Sequence, residues 1–156
     1  MDNALTEILE DHAEDAMEGK YLTFQITEES YAVPIRSVIE IVKLQPITAI
    51  PELAGYMKGI INLRGKIIPV MDVRLRLEKP AQPYNDRTCI VVVDINHSLA
   101  GLIVDQVSEV LTIRGEDILP PPDGRGEAAR FVCGIGKTPG GIRLILDAET
   151  LFNGIV

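Results

Sequence analysis

Ala32–Val42 reads AVPIRSVIEIV, and at a shift of 69 Gly101–Leu111 reads GLIVDQVSEVL. Ala32, Val33, Ile35, Val38, Glu40, Ile41 and Val42 fall, without a gap, on Gly101, Leu102, Val104, Val107, Glu109, Val110 and Leu111. Upstream, Tyr21–Ile26 falls on Ile90–Ile95, and both are apolar runs. Farther on, Ile67–Asp72 (IIPVMD) resembles Ile142–Asp147 (IRLILD) at a shift of 75. Each half reads strand, turn, strand, tight corner, strand, proline-bearing loop, strand pair, Asp. A repeat of this length means two structurally similar units. Roughly 60–70 residues carrying about five short strands suit a small closed barrel, because closure removes exposed edges. The expectation is an all-β protein of two five-stranded barrels. The first covers about 20–77 and the second about 88–147, with a crossover at 78–87.

Working outward, β-branched runs bounded by Gly, Pro, Asn and Asp mark the strands. They are Lys20–Ile26, Tyr31–Val33, Val38–Lys43, Gly59–Leu63, Lys66–Asp72, Thr88–Ile95, Ser98–Val104, Val107–Arg114, Phe131–Lys137 and Gly141–Asp147. Thr27–Ser30, Arg64–Gly65 and Asn96–Ser98 are the expected turns. Leu119–Gly126 (LPPPDGRG) cannot be a central strand, since proline lacks the ladder donor. Before Lys20 the pattern is helical. Leu5, Ile8, Leu9, His12, Ala13, Ala16 and Met17 recur at three- and four-residue steps, with Asn3 as N-cap and Gly19 as stop, so 1–19 reads as an amphipathic helix. After Asp147, residues 148–153 read as a short C-terminal helix.

The chain has 156 residues, of which 46% are hydrophobic, and a formal net charge of −8. That is enough apolar content for a core. The acidic balance argues against nucleic acid and against an anionic membrane surface, both of which select clustered Lys and Arg. Aromatic residues are only 4% with no Trp, which leaves no stacking platform for sugars or bases. Cys89 and Cys133 form no CxxC pair, and MDNALTEILE lacks a signal peptide's basic start. No apolar stretch approaches the roughly 18–20 residues that span a bilayer. A cytoplasmic protein that binds protein is expected.

Chemistry is sparse. His12 lies on the apolar stripe of the first helix and His97 in a turn, neither with a ligand partner at metal spacing. No nucleophile elbow, HExxH or P-loop is present. Asp72, Asp94, Asp105 and Asp147 end or interrupt apolar strands, where solvated carboxylates are the ordinary reading. Cys89 opens CIVVV and reads as a small buried hydrophobe. No catalytic residue, metal or cofactor is expected. The dense constellation is Lys58–Arg74, KGIINLRGKIIPVMDVR, a hairpin turning at Arg64–Gly65. Arg64 is a cation among core-type residues, and Glu40 inside SVIEIV is its natural partner. One reading makes them an ion pair mostly withdrawn from water. The other leaves Arg64 capping a solvated turn while Glu40 faces solvent.

At these residues a family becomes visible. KGIINLRGKIIPVMDVR, with SVIEIV before it and AGLIVDQVSEVL after it, closely resembles the CheW family of bacterial chemotaxis coupling proteins, over about Lys20 to Phe152. The resemblance implies two intertwined SH3-like barrels with a hydrophobic groove between them, and no catalysis. It implies two partners, the cytoplasmic tip of a chemoreceptor and the regulatory domain of the kinase CheA. Receptor contact would fall on Val38, Ile41, Val107 and Val110, with Arg64 and its partner Glu40 supporting that surface. Kinase contact would fall at barrel ends, on Ile47, Ile50, Leu119 and Pro120. A chain monomeric by itself, recruited to membrane-associated receptor arrays, is expected. The rivals are a small-molecule-binding barrel, for which only Glu40 and Arg64 offer convergent polar groups, and a coupler for a kinase array outside chemotaxis.

Overall fold

Two-residue reversals punctuate the chain. Arg64 and Gly65 hold φ of 52° and 87°, and Asn96 and His97 hold 50° and 72°. Positive φ at both central residues matches the right-handed twist of the flanking strands, so these turns close tight antiparallel hairpins. The computed structural model describes residues 19–121 and 127–152. The expected helix over 1–19 lies outside the described residues except for Gly19.

Strand β1 (Lys20–Ile26) pairs with β2 (Glu29–Pro34), and a 3-10 turn over Ile35–Ser37 leads into β3 (Val38–Lys43). Next come the hairpin β4 (Met57–Leu63) and β5 (Lys66–Asp72), the four-residue helix α1 (Val73–Arg76), and the hairpin β6 (Cys89–Ile95) and β7 (Ser98–Val104). Strand β8 (Gln106–Thr112) is followed by the two-residue β9 (Ile118–Leu119). The hairpin β10 (Val132–Thr138) and β11 (Gly141–Leu146) precedes α2 (Ala148–Leu151). The six-stranded sheet runs β8-β1-β2-β11-β10-β9 and the five-stranded sheet runs β3-β6-β7-β5-β4. The protein is mostly β, as expected.

The described chain passes between the sheets twice, at Ile35–Ser37 and at the single residue Asp105. One residue cannot reverse a strand, because even the tightest hairpin needs two. Strand β7 therefore bends out of its own sheet and continues as β8 in the other. In consequence the first hairpin of each repeat pairs with the other repeat: β1 lies against β8 and β2 against β11, while β6 lies against β3 and β7 against β5. The division expected at 78–87 thus falls inside the five-stranded sheet, which is built from Val38 to Val104 without interruption. The six-stranded sheet draws on both ends of the chain, so neither sheet corresponds to 20–77 or to 88–147.

The five-stranded sheet is apolar on both faces. Cys89, Val91 and Val93 belong to one buried cluster, shared with Leu22, Phe24 and Val33 of the other sheet. Ile90 and Val92 belong to a second cluster with Val42, Ile61, Ile68 and Val70. That double burial is why CIVVV reads as a continuous apolar run rather than an alternation.

Three local features depart from expectation. Helix α1 takes residues of the first half to which no element was assigned from the sequence, because Asp72 caps it by accepting from the Leu75 amide at 3.3 Å. Asp147 caps α2 in the same way, accepting from the Glu149 amide at 3.0 Å and the Thr150 hydroxyl at 2.7 Å. The aspartate shared by both repeats is a helix cap in each, and Asp72 is buried rather than solvated. Strand β9 also adds an eleventh strand among the described residues. It sits on a sheet edge, where the proline at 120 costs no ladder bond.

Candidate functional site

Strands β3 and β8 are edge strands of their sheets, and each begins next to one of the two crossings. Val38 and Ile41 are three residues apart, as are Val107 and Val110, and an odd spacing along a regular strand puts side chains on opposite faces. A bulge in each edge strand corrects this. The register of β3 on β6 shifts between Val38 and Glu40, and that of β8 on β1 shifts between the partners of Leu22 and Phe24. The extra residue turns both members of each pair toward the shared core. Thr23, fully buried opposite the second bulge, donates to the Glu109 carbonyl at 2.8 Å and accepts from the Glu109 amide at 3.1 Å.

The four groove candidates are not equivalent. Val38, Val107 and Val110 are half-buried and pack against the shared core from its rim. Ile41 is only 2% exposed and belongs to the core itself. Its place as a contact residue is corrected: a side chain without free surface cannot meet a partner. Ile39, beside the bulge, is 48% exposed instead.

Arg64 Nη2 donates to Glu40 Oε1. The turn that carries Arg64 is fixed by its own positive φ and by the Gly65 amide donating to Asn62 Oδ1 at 2.9 Å. Strands β3 and β4 are opposite edges of one sheet, yet Val42 of β3 and Ile61 of β4 share one apolar cluster. The five-stranded sheet therefore rolls up around it, and the Arg64 turn after β4 reaches Glu40 on β3. The pair is not withdrawn from water. The Arg64 side chain is 69% exposed and that of Glu40 is 26% exposed. A hairpin tip flanked by Asn62 and Lys66 projects into solvent, so the expectation of a dry pair is corrected.

The kinase candidates separate. Ile47 is half-buried against the second cluster and Ile50 is exposed, on either side of Thr48, which bridges to Ile60 of β4. Leu119 and Pro120 are exposed at the β9 edge of the other sheet. Among the described residues no group of three His, Cys, Asp or Glu is placed to hold a metal, and no helix is long and apolar enough to cross a membrane. An open cavity of about 610 Å³ is lined by Gln25, Ser30, Ser108, Glu109 and Arg143 among others. That lining is polar, unlike the apolar chamber of a small-molecule site. Arg74 and Asp105, which bridge the two sheets, had no signal as a pair, because they lie 31 positions apart in sequence.

The model of the CheW-like domain matches residues 20–156. The chain belongs to the CheW-like family. Its fold is similar to the crystal structure of the scaffolding protein CheW from Thermoanaerobacter tengcongensis, with a TM-score of 0.82 and 41% identity over 86% of this chain and 92% of that one. A probable chemotaxis protein CheW from Rhizobium etli is 37% identical, covering 85% of this chain and 86% of its own length. The chemotaxis protein CheW from Helicobacter pylori is 34% identical, covering 86% and 81%. With that membership, the chain is a chemotaxis adaptor. The two edge strands stand at matched positions of the repeat, whereas the Glu40–Arg64 contact belongs to one half, since Arg64 falls on Pro139 at the shift of 75.

Proposed function

We propose that this CheW-like chain couples the cytoplasmic tip of a methyl-accepting chemoreceptor to the regulatory domain of a CheA-type kinase. It acts in the cytoplasm at membrane-associated arrays, as a monomer, and without catalysis or a cofactor of its own. Each sheet is an SH3-like barrel, and the two are intertwined through the exchanged hairpins. The receptor's helical hairpin lies along the rim formed by Val38, Val107 and Val110, with Arg64 beside it. The kinase engages barrel ends through Ile47, Ile50, Leu119 and Pro120.

The observation that supports this best is the pair of bulged edge strands. Val38 on β3 and Val107 on β8 are half-buried at matched repeat positions, and β8 adds the half-buried Val110. Helix-in-groove recognition needs apolar walls of this kind, partly exposed and rigidly backed. Residues already sealed in a core give no such surface, and fully solvated ones give no preorganised one. The test is a pull-down of a soluble receptor-tip fragment and of the CheA regulatory domain, separately and together. Simultaneous capture of both is expected. Capture of neither, or mutual exclusion, would overturn the coupling role.

A further inference from the structure

Asp105 is the one-residue crossing from β7 to β8, and four hydrogen bonds converge on it and its neighbours. Its amide donates to the Gln25 carbonyl at 3.1 Å. Its Oδ2 accepts from the Thr27 amide at 2.7 Å and also from Arg74 Nη2. Arg74 Nη1 then reaches the Thr27 hydroxyl at 3.2 Å. Arg74 belongs to α1, which follows β5 of the five-stranded sheet, whereas Thr27 lies in the β1–β2 turn of the six-stranded one. One guanidinium thus ties both sheets to the corner between them. Its side chain is 11% exposed against 69% for Arg64, while the carboxylates of Asp105 and Glu40 are alike at 30% and 26%, so the difference between the two pairs lies in the arginine.

The other crossing is held differently. At Ile35–Ser37 the buried side chain is Ile35, and Arg36, which occupies the repeat position of Asp105, is exposed. Apolar packing fixes one corner and a directional polar clamp fixes the other. Val107 is two residues beyond the clamp, and Val38 follows directly on the apolar corner.

We infer that Arg74 and Asp105 are positioning residues for the receptor surface: their clamp sets where β8, and so Val107 and Val110, stands relative to Val38. This rests on the proposed receptor rim. Arginine is required because its planar fork serves Asp105 and Thr27 at once, which a lysine ammonium on a single stem cannot do with the same geometry. The clamp acts first on β8, where Val107 and Val110 stand. Ile47 and Ile50 lie in the β3–β4 connection and Leu119 on β9, at the far edge of the six-stranded sheet from β8, so the kinase candidates are remote from it.

The experiment compares Arg74→Lys, Asp105→Asn and Val107→Asp in the full chain by titration with a soluble receptor-tip fragment and, separately, with the CheA regulatory domain. Hydrogen exchange of β8 is followed on the same samples. Arg74→Lys and Asp105→Asn are expected to weaken receptor binding about tenfold, to leave kinase binding unchanged, and to speed exchange in β8. Unchanged receptor affinity in both overturns the inference. So does a parallel loss of both partners tracking thermal stability, which is what a merely structural role gives. If Val107→Asp also leaves receptor binding intact, the receptor rim itself is wrong.

Discussion

Glu40 and Arg64 are joined across the two edges of one sheet, yet Arg64 remains 69% exposed. The contact marks where the rolled sheet closes without contributing much to holding it closed. Solvated pairs gain little from Coulomb attraction and lose side-chain entropy on pairing, which leaves about 0–1 kcal/mol. Apolar burial of Val42, Ile61 and Ile68 inside the roll supplies the stability instead.

Arg64→Ala and Glu40→Ala are therefore each expected to cost less than about 1 kcal/mol in urea melts, with a coupling energy of the same order. A coupling of about 3–5 kcal/mol, the size seen when one partner of a buried pair is lost, would show that the pair is dry in solution.

Alkaline pH gives a second expectation. Burial is the main cause that pushes the Tyr31 and Tyr84 hydroxyls above their ordinary value of 10.0. The charge of Glu29 adds to this at Tyr31, and the hydrogen bond from Tyr84 to Asp72 adds to it at Tyr84. A raised phenol favours the protonated folded state. Its contribution is complete below pH 10, and is lost as pH rises beyond that toward the folded value, because the unfolded chain ionises first. Melting temperatures from about pH 8 to about pH 11 are expected to fall more steeply for the unmodified chain than for Tyr84→Phe. Parallel curves would remove Tyr84 from the account.

Packing gives a third. Gly101 and Ala32 occupy the same repeat position in the two sheets. A Cβ at Gly101 would lie 2.7 Å from Val70 Cγ1 and 2.8 Å from Ile90 Cγ2, whereas the Ala32 methyl is accommodated and fully buried. Gly101→Ala is expected to cost about 1–3 kcal/mol by overpacking, although alanine is the better residue for a regular backbone. A stabilised Gly101→Ala protein would mean that Val70 and Ile90 move aside freely.

Much of this fold was legible, and the reasons are local. Strands β3, β5 and β7 run between the residues read from sequence because polar turn residues bound them sharply. What the repeat could not reveal was partnership. Similarity between halves says which segments are alike, not which of them pair, and the exchange of hairpins depends on how short the corners at Ile35–Ser37 and Asp105 are. The bulges were hidden for a related reason: an inserted residue changes a side chain's face without altering the composition of the strand. Helix α2 was signalled by Asp147-Ala-Glu-Thr, a capping pattern, while α1 was masked by the apolar strand running into Val73. The site was less legible than the fold. Glu40 and Arg64 were found because charges interrupt apolar runs, but sequence does not record whether a turn projects into water. Ile41 was grouped with Val38 through the family resemblance, as a second apolar wall residue, and the bulge turns both toward the same core, so only the depth of burial separates core from rim.

That distinction carries the fourth expectation. Ile41→Asp places a carboxylate at a site 2% exposed, with no partner, and the desolvation of an unpaired charge is large enough to unfold a domain of ordinary stability. Val38→Asp and Val107→Asp place the same carboxylate at half-buried rim positions, where it keeps part of its hydration. These two variants are expected to fold and to lose receptor affinity, by about thirtyfold or more if the valines are hot spots, because the charge must be stripped of water when an apolar helix docks. Circular dichroism and receptor co-sedimentation on the same samples decide the matter. If Val38→Asp unfolds as Ile41→Asp does, the rim is ordinary core and the receptor docks elsewhere. If Ile41→Asp folds and alone loses binding, the contact surface lies on the face assigned here to the interior.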